Sequence, residues 1–177
     1  MSIPGNPWIH GGGPPQHAKL QLTNGYYLHF DQMARLLRFV QQHPSAGRHS
    51  QQALAAGSGL TVRQVERLGS VMVRLGLLQS RSYRLAPFGS LVARHDPFLD
   101  DLGTLWVCHY HLASDAGILV WSHLANCLLP AGRPVTTLDA RDSIQPLLAG
   151  YTSYAVQKKL LQEIRSFFNA YTDQAFA

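Results

Sequence analysis

Arginine and glutamine side chains cluster in one short stretch of this 177-residue chain. Arg63, Gln64, Arg67 and Arg74 fall within residues 61–75, and Arg81 and Arg84 follow within 76–85. A guanidinium can donate two parallel hydrogen bonds to guanine, and a carboxamide matches the edge of adenine. The same side chains grip phosphates, contacts that position a protein on a duplex without specifying its sequence. Arg63 and Arg67 are four residues apart, so on a helix they project together. Lys158, Lys159 and Arg165 form a second basic group suited to a further phosphate contact.

Other chemistry is thinner. Cys108 and His111 are three apart, and His123 and Cys127 are four apart. Either spacing puts a pair on one helix face, as a closed zinc site would need. Burial of a small cysteine in a core is the plainer reading, so no metal is expected. Asp96, Asp100 and Asp101 could hold a cation as nuclease carboxylates do, but aspartates beside helix ends more commonly act as caps. Glycine-rich phosphate loops, nucleophile elbows and paired carboxylates are absent from the sequence, so neither an enzyme nor a cofactor is expected.

The elements that must position these residues follow from periodicity. Residues 51–60 read as a short helix ended by Gly57 and Gly59. Thr61 and Gln64 match a capping box that opens a second helix over 61–75. Val62, Val65, Leu68, Met72 and Leu75 make its buried stripe, which leaves Arg63, Gln64, Arg67, Ser70 and Arg74 outside. Residues 76–85 read as a basic hairpin. Before them, Asp31 is a plausible cap for a helix to about residue 43, with Met33, Leu36, Leu37 and Val40 inside and Pro44 as its stop. Helix, turn, helix and basic hairpin together are the winged helix-turn-helix pattern, in which the second helix of the turn enters the major groove.

Beyond it, a helix runs from Pro87 to Arg94 and stops at Asp96-Pro97. Residues 105–112 and 118–129 read as a hairpin of two apolar helices, which Trp106, Tyr110 and Trp121 suggest are buried. Residues 130–134 contain two prolines and a glycine and mark a boundary. Residues 141–148 and 153–171 then form an abbreviated helix-turn-helix around Gly150. The expected architecture is mainly α, with a small β-wing. It divides into a Pro/Gly-rich arm at 1–18 with Trp8 and Ile9 as possible anchors, a winged domain with the packed helical hairpin at 19–129, and a C-terminal helical unit at 130–177.

Bulk properties agree. A hydrophobic content of 46% suits a folded chain, and a net charge of +5 favours an acidic partner. No apolar run would cross a membrane, and the first residues lack a signal-peptide layout, so a cytoplasmic location is expected. The two cysteines suggest no disulfide framework.

Residues 85–126 add a resemblance. Leu85-Ala-Pro-Phe-Gly, then His95-Asp-Pro-Phe-Leu-Asp-Asp-Leu-Gly-Thr-Leu-Trp-Val-Cys-His-Tyr-His-Leu112, then Trp121 and Asn126, resemble the prokaryotic family called domain of unknown function four thousand and seven. In that family a winged unit precedes an Asp-Pro-Tyr/Phe-Leu-Glu/Asp turn, a Gly-Thr-Leu-Trp helix with a histidine, and a helix carrying Trp and Asn. Asp96, Pro97, Asp100, Trp106 and His109 match motif positions and imply a capped junction between the winged unit and the helices after it. The resemblance implies a bacterial or archaeal winged-helix protein in a defence or DNA-modification system, and it carries over no catalytic residue. The expectation is a nucleic-acid binder, duplex DNA before RNA. The alternative is a non-enzymatic adaptor in a larger nucleoprotein complex that uses the winged face for protein or RNA docking.

Overall fold

The computed structural model describes residues 18–22, 28–44, 47–148 and 153–172. The protein is mainly helical. Eight α-helices lie in these residues: α1 (Phe30–Gln42), α2 (Gln51–Ser58), α3 (Val62–Arg74), α4 (Pro87–His95), α5 (Leu102–Ser114), α6 (Leu119–His123), α7 (Thr137–Ile144) and α8 (Tyr154–Thr172). The chain divides into two compact units, with the boundary inside α5. One comprises the described residues of 28–111; the other comprises 18–22 with the described residues from 112 onward. The break at 130–134 therefore lies inside the second unit rather than between units. The arm before Ala18, with Trp8 and Ile9, and the turn at Gly150 lie outside the described residues.

In the first unit, α1 buries Met33, Leu36, Leu37 and Val40 at the expected spacing. It starts at Phe30, so Asp31 is not its cap but lies in its first turn. There a carboxylate favours the positive end of the helix, and Asp31 also meets Arg35 at 3.9 Å. The Ser50 hydroxyl accepts from the Ala53 amide and opens α2, which ends at Gly59 in the left-handed region (φ 69°). Gly57 does not end α2; it lies within it, where a Cβ would strike the Phe39 ring of α1 at 1.9 Å.

The capping box on α3 is present: Gln64 Oε1 accepts from the Thr61 amide at 2.9 Å, and Thr61 Oγ1 accepts from the Gln64 amide at 3.3 Å. Val65, Leu68 and Met72 are buried, with Leu75 just beyond the helix. Val62 is exposed instead of buried, because at about 100° per residue it falls outside that stripe.

A hairpin returns the chain from α3 to α4, but no strand is present among the described residues. The expected β-wing is reduced to one antiparallel bridge, Leu78 with Leu85. Arg81 (φ 67°) and Tyr83 (φ 54°) explain the reduction. Their left-handed backbones interrupt the extended conformation a strand requires. At the root of the hairpin the Ala86 amide donates to the Leu77 carbonyl at 3.0 Å. Gly89 of α4 packs on the same carbonyl, which a Cβ there would strike at 1.8 Å.

The turn before α5 accounts for the acidic cluster. Asp96 is buried, and its two oxygens accept from the amides of Asp100 (3.1 Å) and Asp101 (3.3 Å). Asp101 Oδ1 accepts from the Thr104 amide and caps α5. Carboxylates used in this way are committed to chain geometry. On α5, Leu105 and Cys108 are buried, whereas Trp106 and Tyr110 are exposed, contrary to the burial their size suggests.

In the second unit, Lys19 pairs in parallel with Ile118 through bonds to the Gly117 carbonyl (2.8 Å) and from the Leu119 amide (3.0 Å). The helix expected over 118–129 is segmented: α6 passes into a π-turn over Leu124–Leu128 and a 3₁₀ turn over Leu129–Ala131. Asn126 Nδ2 donates to the carbonyls of Ser122 (2.7 Å) and Ala113 (2.8 Å). In an α-helix the first of these carbonyls would serve the residue's own amide. A second capping box, Thr136 with Asp139, starts α7 four residues earlier than expected.

Glu163 on α8 is fully buried. Its Oε1 accepts from the Leu22 amide and from Trp121 Nε1, each at 2.8 Å, and its other oxygen has no hydrogen-bond partner among the described residues. Burial pushes its carboxyl up to about 7 from an ordinary 4.5, against the two hydrogen bonds that lower it. Between those values the folded chain holds a proton that the unfolded chain has released. Stability therefore falls as pH rises from 4.5 towards 7, by up to about 1.4 kcal/mol per pH unit, and this contribution is flat above that window. Thermal unfolding of wild type and Glu163→Gln from pH 4 to 8 checks this. The difference between their melting temperatures should move in favour of the glutamine variant as pH rises through the window; a constant difference refutes the assignment.

Candidate nucleic-acid interface

The sequence-predicted residues fall into two sets. Arg63, Gln64, Arg67, Arg74, Arg81 and Arg84 belong to the unit spanning 28–111, and Lys158, Lys159 and Arg165 to the other. At about 100° per residue, Arg63, Arg67, Ser70 and Arg74 lie within an arc of about 60° on α3. That arc is opposite the buried Val65, Leu68 and Met72. Arg63 and Ser70 are exposed; Arg67 and Arg74 are half-buried. Arg74 stands in the last turn, where its charge complements the carbonyl end of the helix. Gln64 Oε1 accepts from both the amide and the hydroxyl of Thr61, each at 2.9 Å. Its carboxamide oxygen is thus committed to the cap, and reading adenine with it would break the capping box.

Arg81 and Arg84 are exposed on the hairpin. What holds the hairpin against α3 was not visible among the charged residues. The Tyr83 ring lies on Gly69 of α3: a Cβ at Gly69 would sit 2.7 Å from Tyr83 Cε1 and 3.3 Å from Cδ1. Gln51 Nε2 of α2 donates to the Tyr83 hydroxyl at 3.3 Å. The Ser82 carbonyl accepts from the His49 amide at 3.0 Å, while within the hairpin the Arg84 carbonyl accepts from the Gln79 amide at 2.8 Å. His49 is buried and its imidazole is held below its usual range by burial first, then by the nearby His43 and Arg84. It therefore tends to stay neutral beside the hairpin. The available signal was Gly69 itself, a residue that costs about 1 kcal/mol relative to alanine inside a helix unless something needs the space.

On α8, Lys158, Lys159 and Arg165 are exposed, and the Lys159 carbonyl accepts from Gln21 Nε2 at 3.4 Å. The four residues considered for zinc are differently engaged. Cys108 is buried, and burial followed by the Asp96 charge pushes its thiol up to about 12. The His111 ring meets Phe88 at a centroid distance of 5.7 Å. His123 Nε2 lies 2.6 Å from Ser143 Oγ, and Cys127 is exposed. Among the described residues no three or more His, Cys, Asp or Glu side chains are grouped for a metal ion. Nor is any helix among them long and apolar enough to cross a membrane.

No protein-family model, curated protein or solved structure matches this chain. The resemblance noted above rests on residues 85–126 themselves. Two of them have structural work: Trp121 bonds Glu163, and Asn126 shapes the π-turn.

The Gly69 contact predicts a reversal of sign. In wild type, Gly69→Ala should destabilise the chain by about 1 kcal/mol or more, because the ring must shift. In a Tyr83→Ala background the same change should stabilise it by about 1 kcal/mol, the ordinary helix preference. Urea unfolding of the four chains measures both steps. Equal effects in the two backgrounds would show that the ring does not rest on this glycine.

Proposed function

We propose that this chain is a non-enzymatic winged-helix protein that binds duplex DNA through α3 and the hairpin after it, within a prokaryotic defence or DNA-modification system. One observation carries the reading: the outer arc of α3 is a line of arginines opposite a fully apolar inner stripe, with two more arginines on the adjoining hairpin. Charge supports it. Residues 47–95 contain seven arginines and one acid, Glu66. Every basic residue there is arginine, whose planar fork pairs with guanine and with phosphate where lysine offers a point charge. In this reading Arg63 and Arg67 face the groove. Arg74, Arg81 and Arg84 meet phosphates, as do Lys158, Lys159 and Arg165 of the second unit. Gln64 serves by fixing the first turn of α3. The prokaryotic setting rests on the resemblance of the Asp96–His111 block.

Fluorescence anisotropy with random-sequence duplex across a salt series tests the proposal. Affinity should fall with a log–log slope of several units, about 0.9 for each phosphate contact. Arg63→Glu with Arg67→Glu should weaken binding at least about thirtyfold, and Lys158→Glu should lower the slope by about one contact. Absence of binding at low salt would overturn the reading and move it to an adaptor role, with partners sought by pull-down.

A further inference from the structure

Helix α5 carries a broad apolar arc that is left uncovered. Its thirteen residues include no Asp, Glu, Lys or Arg. Leu105, Cys108 and Leu112 are buried. On the opposite arc Leu102 (48%), Trp106 (48%), Val107 (40%) and Tyr110 (53%) remain exposed to solvent. Large apolar side chains exposed side by side on one arc mark a contact surface, unlike ones scattered singly. We propose that the outer face of α5 is a self-association surface, on which a second copy of this chain seats its own α5.

Three features favour a second copy over a different partner. The first is charge. Two identical chains each carry +5, and α5, which has no Asp, Glu, Lys or Arg, is a face on which they can approach without setting like charges against each other. An acidic or basic partner would be met by opposite charges, which α5 does not offer. The second is symmetry. Leu102 and Tyr110 lie four residues to either side of Trp106. An antiparallel two-fold pairing centred on Trp106 sets each Leu102 against the partner's Tyr110, and the two tryptophans against each other, as an isologous contact requires. The third is area. Each half-exposed ring offers on the order of 100 Å², and with the two aliphatic side chains the face presents roughly 400 Å². That is about half of the ~800 Å² each partner buries in a standard interface, close to the usual apolar share. The Trp106 ring is also held in advance, edge-on to His109 at a centroid distance of 5.4 Å. Pre-ordering of this kind lowers the entropy lost on association.

This inference does not depend on nucleic-acid binding, and its test uses none. Sedimentation velocity of the full chain over about 1–200 µM should show the mass rising from 19.6 kDa towards twice that value. Trp106→Glu and Tyr110→Glu should each raise the dimer dissociation constant at least tenfold while leaving helical circular dichroism unchanged. Leu138→Glu, at an exposed leucine of the other unit, should leave it unchanged. Tryptophan emission should shift to the blue with concentration in wild type and not in Trp106→Phe. A chain that stays monomeric throughout overturns the proposal, including the case in which it is captured by a different protein. Association that survives both glutamate substitutions overturns it as well, since another surface would then be responsible.

Discussion

The Tyr83 ring resting in the notch at Gly69 is the contact on which the arrangement of the basic residues depends. Helix α3 holds its own arginines in line, since helical spacing alone does that. The hairpin is closed internally by one bridge and a few hydrogen bonds between its arms, such as the Gln79 amide to the Arg84 carbonyl, but these do not fix it against α3. Its position comes from outside: the ring on α3, the Gln51 bond to the tyrosine hydroxyl, the His49 amide on Ser82, and the close approach of Gly89 to the Leu77 carbonyl at its root. Left-handed backbones at Arg81 and Tyr83 cost on the order of 1–3 kcal/mol each and persist only where neighbours over-determine them. Here the neighbours are these four contacts, and they convert a strained loop into a fixed platform for Arg81 and Arg84.

Much of the helical frame was legible in the residues. The apolar spacing of Met33, Leu36, Leu37 and Val40, and the Thr61/Gln64 box, are local signals with local consequences, and both took the expected form. Where the reading departed from the structure, the cause was tertiary. Gly57 looks like a stop signal and is a packing notch for Phe39. Trp106 and Tyr110 look like core and lie on the uncovered side of an apolar helix, because periodicity cannot distinguish sides when both are hydrophobic. The boundary at 130–134 was placed by composition, whereas the units divide inside a continuous helix, which no turn residue announces. The arginines of the candidate site were visible in the sequence. Tyr83 was not, because a tyrosine's role depends on the glycine it meets across the fold.

Gln64 shows how one residue type admits two chemistries that exclude each other. A carboxamide at the start of a recognition helix is suited to adenine, and equally suited to closing a capping box. Both uses need the same oxygen, and in this chain the oxygen lies 2.9 Å from two donors on Thr61. The cap stabilises the helix whether or not a ligand is present, so it sets the resting state. In the proposed DNA-binding reading, base contact would then fall to Arg63 and Arg67, whose guanidinium groups suit guanine.

The acids of the first unit sharpen this electrostatic division. Asp96 is held by backbone amides and Asp101 caps α5, so their carboxylates serve the turn. Asp31 favours the amide end of α1. Only Glu66 lies among the arginines of α3 and the hairpin. The positive charge of residues 47–95 therefore has little to neutralise it within its own stretch of chain. The neutral α5 follows directly after the acidic turn. Each stretch thus has a different physical character: one rich in arginine, one bound up in capping, one without Asp, Glu, Lys or Arg. The arginine-rich stretch opposes the approach of a second copy, whereas the uncharged α5 does not.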